Sequence, residues 1–290
     1  MKKILIIGKN SYIGEHIEAW LNKDTGQYQV KQVEAINNSC REESFLDIDV
    51  VIHVAGIVHR PDITDWEIYK KVNVDLPLEV AKRAKECGVS QFIFLSTMAV
   101  FGIGKKLCEN IIDENTCQNP ISNYGKSKYE AEKKLTELEN DYFKVSIVRP
   151  PNVYGKDCKG NYISLYKSVI SKLPIVPYAY QNVKQSVIFI DNLCELVKLI
   201  IDNQDGGIFM PQDDKAVSAV ELIQSIADGI EKKVYFSKSF GIIIKLFGFI
   251  PILKKAYGGV CYSDEVSNCY NNSYIVVSFE EAMRRTVSNG

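Results

Sequence analysis

Tyr124 and Lys128 are the first candidates for chemistry, because they lie four residues apart where a helical stretch begins (123–135, NYGKSKYEAEKKL). Side chains at this spacing lie on the same face of a helix. A free phenol has a pKa of about 10, and a nearby positive charge lowers it, so the pair could serve as a general acid or base. The same spacing is common on solvated helices, and the pair needs support from the rest of the chain.

Two hydroxyl groups lie at the end of the apolar run FIFLS (92–96), which is predicted to be a strand. Ligands of α/β proteins bind beyond the carboxyl ends of strands. A hydroxyl there can orient a reacting oxygen. Thr97 precedes Tyr124 by 27 residues, which leaves room for a loop before the helix. The adjacent hydroxyls of Ser96 and Thr97 are both candidates for that role.

A glycine-containing turn, GKNSYIG (8–14), follows the first predicted strand and opens a helix. In this context Gly8 permits a tight turn and Gly14 permits close packing of the helix on the strand. The amides at the helix N terminus can hold a pyrophosphate. Ser11 stands where a third glycine is usual, and its hydroxyl can also donate to phosphate. A turn without a ligand is the alternative.

Glu34 lies 20 residues after Gly14, at the end of the second predicted strand. An acidic residue at this distance holds the adenosine ribose of NAD. A carboxylate there repels the 2′-phosphate of NADP, whereas Lys9 in the turn would attract it. The balance favours NAD as the cofactor, with NADP as the alternative.

Short apolar runs alternate with helical patterns over the first 150 residues. The predicted strands are 3–7, 28–33, 50–55, 92–96 and 145–149, and the predicted helices are 13–22, 66–87 and 124–139. This alternation predicts an α/β fold with a Rossmann-type doubly wound parallel sheet. Residues 1–155 are assigned to this dinucleotide-binding domain, with returns from the second half allowed. Residues 156–290 are assigned to a smaller C-terminal α/β substrate lobe, with helices 162–172, 191–203 and 219–230 and strands 186–190 and 207–210.

Charge and cysteine content exclude several classes of protein. Lys+Arg number 35 and Asp+Glu 36, so the net charge is −1 and no basic field for nucleic acid is expected. Eight scattered cysteines lack metal or disulfide spacing, which favours a reducing cytoplasm and no metal.

His53 is expected to be a packed core histidine. The apolar stretch 240–253 is too short to span a bilayer. A buried helix is expected there, and a membrane-surface or partner-binding helix is the alternative.

Six segments resemble the extended short-chain dehydrogenase/reductases that act on nucleotide sugars, in the NAD-dependent epimerase/dehydratase family. They are GKNSYIG (8–14), DVVIHVAG (49–56), YKKVNV (69–74), FIFLSTMAVFG (92–102), NYGKSKYEAE (123–132) and VRPPNVYG (148–155). The resemblance implies that a hydride moves between a sugar carbon and nicotinamide while Tyr124 transfers the proton. Lys128 and the positive nicotinamide ring would lower the pKa of that phenol, and Lys128 would hold the nicotinamide ribose. The family's hydroxyl, four residues before an aromatic residue, falls on Thr97, four before Phe101. Thr97 would orient the reacting oxygen, and Ser96 is the alternative.

The same resemblance implies a set of cofactor contacts. They are Gly8, Asn10, Ser11, Tyr12, Ile13, Gly14, Glu34, Ala55, Gly56, Asn73, Tyr124, Lys128 and Pro150. For Asn73, a role as a capping or core amide is an equal alternative.

The second half resembles the bacterial polysaccharide branch of that family, which contains 4-keto-sugar reductases and 4-epimerases of UDP-N-acetyl sugars. The implied substrate contacts are Thr97, Met98, Asn152, Asn161, Lys184 and Gln185. Gln185 departs from the arginine usual at its position, and Lys184 offers only a point charge, which weakens the expectation of phosphate contact. Met98 and Ala99 stand where the 4,6-dehydratases carry an acidic pair, so dehydration is disfavoured.

The sequence therefore predicts an NAD(P)-dependent nucleotide-sugar epimerase or 4-keto-sugar reductase of the cytoplasm, acting on surface polysaccharide precursors. A UDP-sugar is the favoured substrate, nucleic acid and a membrane span are not expected, and a homodimer is left open. The alternative is a non-catalytic dinucleotide-binding regulator on the same fold. Such proteins usually lose the tyrosine or the lysine, and this chain keeps both.

Overall fold

The structure is a computed structural model that describes residues 1–35, 40, 43–58, 65–158, 166–167, 170, 172 and 175–288. The chain divides into two compact units. Unit 1 comprises Met1–Gly102, Cys117–Pro150 and Leu193–Pro211. Unit 2 comprises Ile103–Thr116, Pro151–Asn192 and Gln212–Gly290.

Helices and strands alternate along the described residues. The strands are β1 (Lys2–Ile7), β2 (Tyr28–Val33), β3 (Val50–His53), β4 (Gln91–Leu95), β5 (Ile111–Ile112), β6 (Lys144–Val148), β7 (Asn152–Tyr154), β8 (Ile175–Pro177), β9 (Lys184–Gln185), β10 (Val187–Phe189), β11 (Gly207–Phe209), β12 (Val217–Ser218), β13 (Tyr235–Ser237) and β14 (Cys261–Tyr262). The helices are α1 (Tyr12–Leu21), α2 (Trp66–Lys70), α3 (Leu76–Glu86), α4 (Asn123–Thr136), α5 (Ile190–Asn203), α6 (Ala219–Gly229), α7 (Lys238–Leu246), α8 (Pro251–Tyr257), α9 (Asp264–Ser267) and α10 (Phe279–Val287). A π-helical segment, Lys71–Asp75, joins α2 to α3, and 3₁₀ turns cover Met98–Phe101 and Cys269–Asn272.

Unit 1 is built on a parallel sheet whose described strands follow the order β2–β1–β3–β4–β6–β11. Leu5 of β1 belongs to a buried cluster that also contains Val80 of α3 and Leu135 of α4. Ile4 points to the opposite face, because side chains alternate along a strand, and it is also fully buried. Both faces are covered, which confirms the predicted doubly wound Rossmann-type sheet.

The chain changes direction across this sheet at β1, because β2 pairs with one edge of β1 and β3 with the other. Doubly wound sheets bind ligands at such a switch point, beyond the carboxyl ends of the strands. Gly8 follows β1, Val54 follows β3 and Ser96 follows β4. The sheet therefore places the glycine turn and the candidate hydroxyl residues along one edge.

Strand β11 belongs to this sheet although it lies late in the chain. Gly207 pairs with Ser146 and Phe209 with Val148 of β6 in parallel. The segment Leu193–Pro211 is thus a return of the second half to unit 1. The apolar pattern predicts the strand, but it carries no information about which strand is its neighbour.

Unit 2 consists of helices and short strand pairs. Strands β7–β10, β8–β13 and β5–β14 pair in parallel, and β9–β12 pair antiparallel. Helices α6 and α10 pack on each other and bury apolar side chains that include Leu222, Ile226 and Met283. The helix predicted over 162–172 lies mostly outside the described residues.

The prediction that the segment 240–253 forms a buried helix is wrong, because large apolar side chains of this segment are exposed. The segment forms part of α7, a connection, and the start of α8. Ile242, Leu246 and Phe249 are 62%, 71% and 73% exposed. An apolar stretch predicts an apolar helix face, but the sequence does not contain what covers that face. Among the described residues, no helix is long and apolar enough to cross a membrane.

Candidate active site

Backbone geometry shapes the turn after β1. Gly8 has a φ of +126°, and a Cβ added there would lie 2.8 Å from Val54 Cγ2 and 2.9 Å from the Ala55 nitrogen. This position therefore requires glycine. Ser11 is the N-cap of α1, and its hydroxyl accepts a hydrogen bond from the Gly14 N–H at 3.1 Å. The serine that replaces a third glycine thus stabilises the start of the helix.

The N terminus of α1 lies at the same edge of the sheet. Asn10 is exposed with a φ of +64°, and Tyr12 and Ile13 begin the helix half-buried. The first N–H groups of a helix have no acceptor within it. They also carry the positive end of the helix dipole, so this turn fits the pyrophosphate of a dinucleotide.

Glu34 borders this turn. The Val33 carbonyl accepts hydrogen bonds from the N–H groups of Gly8 (2.9 Å) and Lys9 (3.0 Å). These bonds hold the end of β2 beside the glycine turn. Glu34 is the next residue and is exposed, as is Lys9. The carboxylate that the sequence assigns to the adenosine ribose is therefore located next to the assigned phosphate turn.

Asn73 joins the chain beyond β3 to helix α4. Its Oδ1 accepts from the Ile57 N–H at 2.8 Å, and its Nδ2 donates to the Ile57 carbonyl and to Ser127 Oγ, both at 3.0 Å. It is fully buried in the π-helical segment. A methyl group at Gly56 would lie 3.1 Å from Asn73 Oδ1 and 3.3 Å from Lys128 Nζ. Asn73 therefore positions the backbone that lies beside Lys128.

Helix α4 presents three ionisable side chains on one face. Ser122 caps the helix by accepting from the Gly125 N–H at 3.0 Å. Tyr124, Lys128 and Glu132 follow at successive intervals of four residues, which is one turn each. Lys128 and Glu132 are 3% and 2% exposed. The spacing that singles out Tyr124 and Lys128 in the sequence thus extends to a third, buried group.

Lys128 is held in a largely apolar site. Its Nζ donates to the Leu95 carbonyl at 2.7 Å and lies 4.3 Å from the centroid of the Phe94 ring. Burial lowers the pKa of Lys128 to about 7, although the negative charge of Glu132 acts in the opposite direction. Lys128 therefore changes charge near neutral pH, which is unusual for a lysine and typical of functional sites.

The Tyr124 phenol meets the Thr97 hydroxyl. Burial raises the pKa of Tyr124, and the hydrogen bond with Thr97 acts against that rise. The predicted lowering of this pKa depends on Lys128 together with the positive nicotinamide ring, and it stays a prediction. In the structure the Lys128 ammonium bonds the Leu95 carbonyl, while the phenol loses its hydration. Without a further positive charge, Tyr124 is a proton donor at neutral pH.

Thr97 also begins the 3₁₀ turn Met98–Phe101. Its Oγ1 accepts a hydrogen bond from the Ala99 N–H at 3.1 Å. The Met98 N–H donates to the carbonyl of Pro150 at 3.0 Å, and Pro150 is buried. The structure thus brings Thr97, Met98, Tyr124 and Pro150 together in unit 1.

The hydroxyl of Ser96, the alternative candidate, bonds a buried carboxylate. Its Oγ donates to Glu132 Oε1. Glu132 also accepts from Arg149 Nε at 3.1 Å and from Arg149 Nη2 at 2.7 Å. All three side chains are at most 4% exposed. The Ser96 hydroxyl is therefore a partner of a buried ion pair, while Thr97 is the hydroxyl that reaches the phenol.

His53 lies at the end of β3, between neighbouring aromatic rings. Its ring stacks against Phe92 and Phe94 at centroid distances of 6.2 and 6.0 Å. It is fully buried, and neither ring nitrogen has a hydrogen-bond partner. Burial, together with the smaller effect of the positive charge of Lys128, lowers the pKa of His53 to about 3. His53 is a neutral core histidine, as the sequence predicts.

The remaining predicted site residues lie in unit 2. Asn152 is exposed in β7, and Asn161 lies outside the described residues. Lys184 forms an ion pair with Glu221 at 2.6 Å. Gln185 is 4% exposed, and its Oε1 accepts from Lys105 Nζ at 2.6 Å. The amide that replaces the usual arginine is thus held by a lysine from another segment of the same unit.

Several of these groups are not found by the sequence reasoning. Glu132 could have been found, because it continues the interval of four residues after Tyr124 and Lys128. The ion pair of Arg149 has no local sequence signal, because its partner Glu132 lies 17 residues away. Lys105 lies in a loop and has no sequence signal that connects it to Gln185.

Comparison with known proteins identifies the family of the chain. The family model described as "NAD dependent epimerase/dehydratase family" matches residues 4–210. The UDP-glucose 4-epimerase of Vibrio cholerae is 30% identical over 288 residues, covering 89% of this chain and 86% of that relative. The N-acetyl-alpha-D-glucosaminyl-diphospho-ditrans,octacis-undecaprenol 4-epimerase of Escherichia coli O157:H7 is 26% identical, covering 80% and 73%.

Solved structures show the same fold over the full chain. The UDP-glucuronic acid 4-epimerase of Bacillus cereus, in complex with NAD, has a TM-score of 0.74 at 17% identity. The match covers 98% of this chain and 95% of that one. The family model spans well over half of the sequence and includes the glycine turn, the hydroxyl pair and the Tyr–Lys helix. The chain therefore belongs to the NAD-dependent epimerase/dehydratase family of enzymes.

Proposed function

We propose that the protein is an NAD-dependent 4-epimerase or 4-keto-sugar reductase of a nucleotide sugar, with Tyr124 as the acid/base. One observation carries the proposal. The Tyr124 phenol lies close enough to the Thr97 hydroxyl for that hydroxyl to oppose the rise in its pKa, and the helix that carries Tyr124 also bears the buried Lys128 one turn later. A proton-transfer group next to a second hydroxyl is what a reacting sugar alcohol or ketone requires.

The bound dinucleotide supplies the hydride acceptor or donor. The turn after β1 would hold its pyrophosphate through the helix N terminus, and Glu34 would accept hydrogen bonds from the adenosine ribose. The exposed Glu34 carboxylate supports NAD, because it would face a 2′-phosphate as a like charge. NADP is the alternative, since Lys9 is exposed in the same turn.

Tyr124 would exchange a proton with the oxygen on the reacting carbon. Burial keeps the phenol protonated, which suits donation of a proton as a ketone is reduced. Removal of a proton from an alcohol requires the phenolate, and positive charge near the phenol stabilises that form. Thr97 would bond the reacting oxygen and orient it toward the phenol. Lys128, with its pKa near 7, would contribute charge and hold the nicotinamide ribose.

We infer that the substrate is a UDP-sugar for surface polysaccharide precursors. The Vibrio cholerae relative bears the name of a UDP-glucose 4-epimerase. In unit 2, Asn152, Lys184 and Gln185, with Asn161, are the proposed substrate contacts. The pairing of Lys184 with Glu221 reduces the charge available to a phosphate there. The cysteine spacing supports a cytoplasmic enzyme, and a homodimer is a further possibility to be measured.

The test is to purify the protein, identify any retained dinucleotide, and assay UDP-sugars without added cofactor. Retained NAD with interconversion of two 4-epimers identifies an epimerase. Stoichiometric consumption of NADH on a 4-keto sugar identifies a reductase. Dinucleotide binding without turnover on UDP-, dTDP- or GDP-sugars, or on the same sugars linked to polyprenyl diphosphate, contradicts the proposal. That result would support the non-catalytic regulator instead.

A further inference from the structure

Unit 2 exposes a cluster of large apolar side chains on one short segment. Phe240, Ile243 and Phe247 are 47%, 49% and 47% exposed, and Ile242, Leu246 and Phe249 are 62%, 71% and 73% exposed. We call these six residues the apolar face. Single exposed apolar residues are ordinary on protein surfaces, but a contiguous group marks an interaction site.

The apolar face lies on the side of α7 that points away from the rest of unit 2. Gly241 is buried, and a Cβ there would collide with the carbonyl of Tyr178. At about 100° per residue, Ile242, Leu246, Ile243, Phe247 and Phe240 fall within an arc of about 160°. Gly241 and the half-buried Ile244 lie outside that arc.

The helix is anchored rather than loosely attached. Ser237 caps it by accepting from the Phe240 N–H at 3.3 Å. Strand β13, which precedes the helix, pairs with β8. On the inner side of the helix, Gly241 lies close to the carbonyl of Tyr178. The unit thus presents the apolar face in a fixed orientation.

The charge of the chain segment that carries the apolar face is one-sided, and Glu109 of another segment lines the same surface pocket as Lys245. Between residues 232 and 263 the sequence contains six lysines, at 232, 233, 238, 245, 254 and 255, and no aspartate or glutamate. This stretch carries a charge of +6 in a chain of net charge −1. Lys238 and Lys245 are exposed and lie next to each other at one edge of the apolar arc on α7, and Lys254 is exposed on α8. Apolar side chains bordered by lysines are typical of helices that lie in a membrane interface.

We propose that the apolar face docks this enzyme reversibly on the surface of a bilayer that contains anionic lipids. The apolar side chains would enter the boundary between headgroups and acyl chains, and the flanking lysines would contact lipid phosphates. Two copies of the chain joined through their apolar faces fit poorly, because this would bring two lysine-rich segments together. The inference concerns where the enzyme binds, and it does not depend on the proposed substrate.

The experiment is sedimentation of the purified full chain with vesicles of phosphatidylcholine alone or mixed with phosphatidylglycerol. The protein is expected to bind the anionic vesicles. Its affinity should be at least about tenfold weaker for neutral vesicles, and its affinity for anionic vesicles should fall with added salt. The double variant Leu246→Glu/Phe249→Glu is expected to lose binding to the anionic vesicles. It should keep the catalytic turnover and melting temperature measured without vesicles, because both side chains are already largely exposed.

The matched control is Ile121→Glu/Tyr142→Glu. These side chains are 70% and 87% exposed in unit 1, so the control adds the same two charges to exposed positions outside the six residues of the apolar face. It is expected to bind vesicles nearly as well as the wild type. Phe249→Trp provides a readout that keeps the face apolar, and its tryptophan emission should shift to the blue when anionic vesicles are added.

Three results would overturn the proposal. One is the absence of sedimentation with anionic vesicles at low salt. Another is equal binding by the Leu246→Glu/Phe249→Glu variant and its control. The third is a Leu246→Glu/Phe249→Glu variant that changes from dimer to monomer without a change in vesicle binding, which would assign the face to contact between copies.

Discussion

Single substitutions of Ser96 and Thr97 separate a structural hydroxyl from a catalytic one. Ser96 donates to Glu132 inside a buried ion pair with Arg149. Ser96→Ala removes one of the donors to that carboxylate and leaves the two guanidinium bonds in place. A lost hydrogen bond to a buried charged group costs about 1–3 kcal/mol. A loss of about 2 kcal/mol corresponds to a fall in melting temperature of roughly 4–8 °C.

Thr97→Val has a different expected effect. Valine keeps the shape of threonine but removes the hydroxyl that meets Tyr124. If that hydroxyl bonds the reacting oxygen, kcat should fall by about 10²–10³, as when an oxyanion donor is removed. The variant also loses the cap on the Ala99 N–H, which costs about 0.5–2 kcal/mol. Thr97→Ser retains both functions of the hydroxyl and is the control.

The assay measures kcat on the sugar nucleotide that the wild type is found to convert, together with thermal unfolding of each variant. Ser96→Ala should unfold earlier while kcat stays near that of the wild type. Thr97→Val should lose kcat by far more than its loss of stability explains, and Thr97→Ser should recover most of it. A large loss of kcat in Ser96→Ala with little change in unfolding would refute the assignment. So would wild-type turnover by Thr97→Val.

Three further predictions address the acid/base, the cofactor and the buried histidine. Tyr124→Phe should lower kcat by about 10²–10⁴ while the Kd for the dinucleotide stays near the wild-type value; turnover like the wild type contradicts the role of the phenol. Glu34→Ala should weaken the binding of NADH and bring the affinity for NADH closer to that for NADPH, as measured by fluorescence titration; unchanged affinities exclude Glu34 as a ribose ligand. His53 has a pKa of about 3 in the fold and about 6.5 when unfolded, so its stabilising effect is complete above pH 6.5 and is lost as the pH falls toward 3. From pH 6 to pH 4.5 the free energy of unfolding should fall more steeply in the wild type than in His53→Leu, by up to about 1.4 kcal/mol per pH unit; parallel denaturant-unfolding curves would show that His53 is not buried in its neutral form.

The elements that support the site could be predicted from the sequence because their signals are local. Strand β1 is a continuous apolar run that ends at Gly8, and the context of strand, turn and helix marks the dinucleotide turn. Tyr124 and Lys128 could be paired because the helical repeat fixes their relative direction. In each case the decisive information lies within about ten residues of sequence.

The division of work between Ser96 and Thr97 could not be predicted in the same way. Adjacent side chains on an extended chain point to opposite sides, so the two hydroxyls cannot share one task. Which side meets Tyr124 depends on where helix α4 packs on the sheet. The buried bond of Ser96 to Glu132 decides the question, and Glu132 lies 36 residues away.

The segment 240–253 shows how far an apolar pattern can be interpreted. Its periodic apolar residues specify a helix with one apolar face, and a protein core or a membrane interface would cover that face equally well. The difference lies in the flanking charges. An element that covered the apolar face and also buried the lysines beside it would have to supply acidic partners for their charges. The stretch 232–263 supplies six lysines and no acidic residue, and Lys238 and Lys245 remain exposed beside the apolar face. A phosphate-rich surface provides the missing negative charge without any acidic residue from the chain itself, and that is why charge, rather than hydrophobicity, decides between the two interpretations.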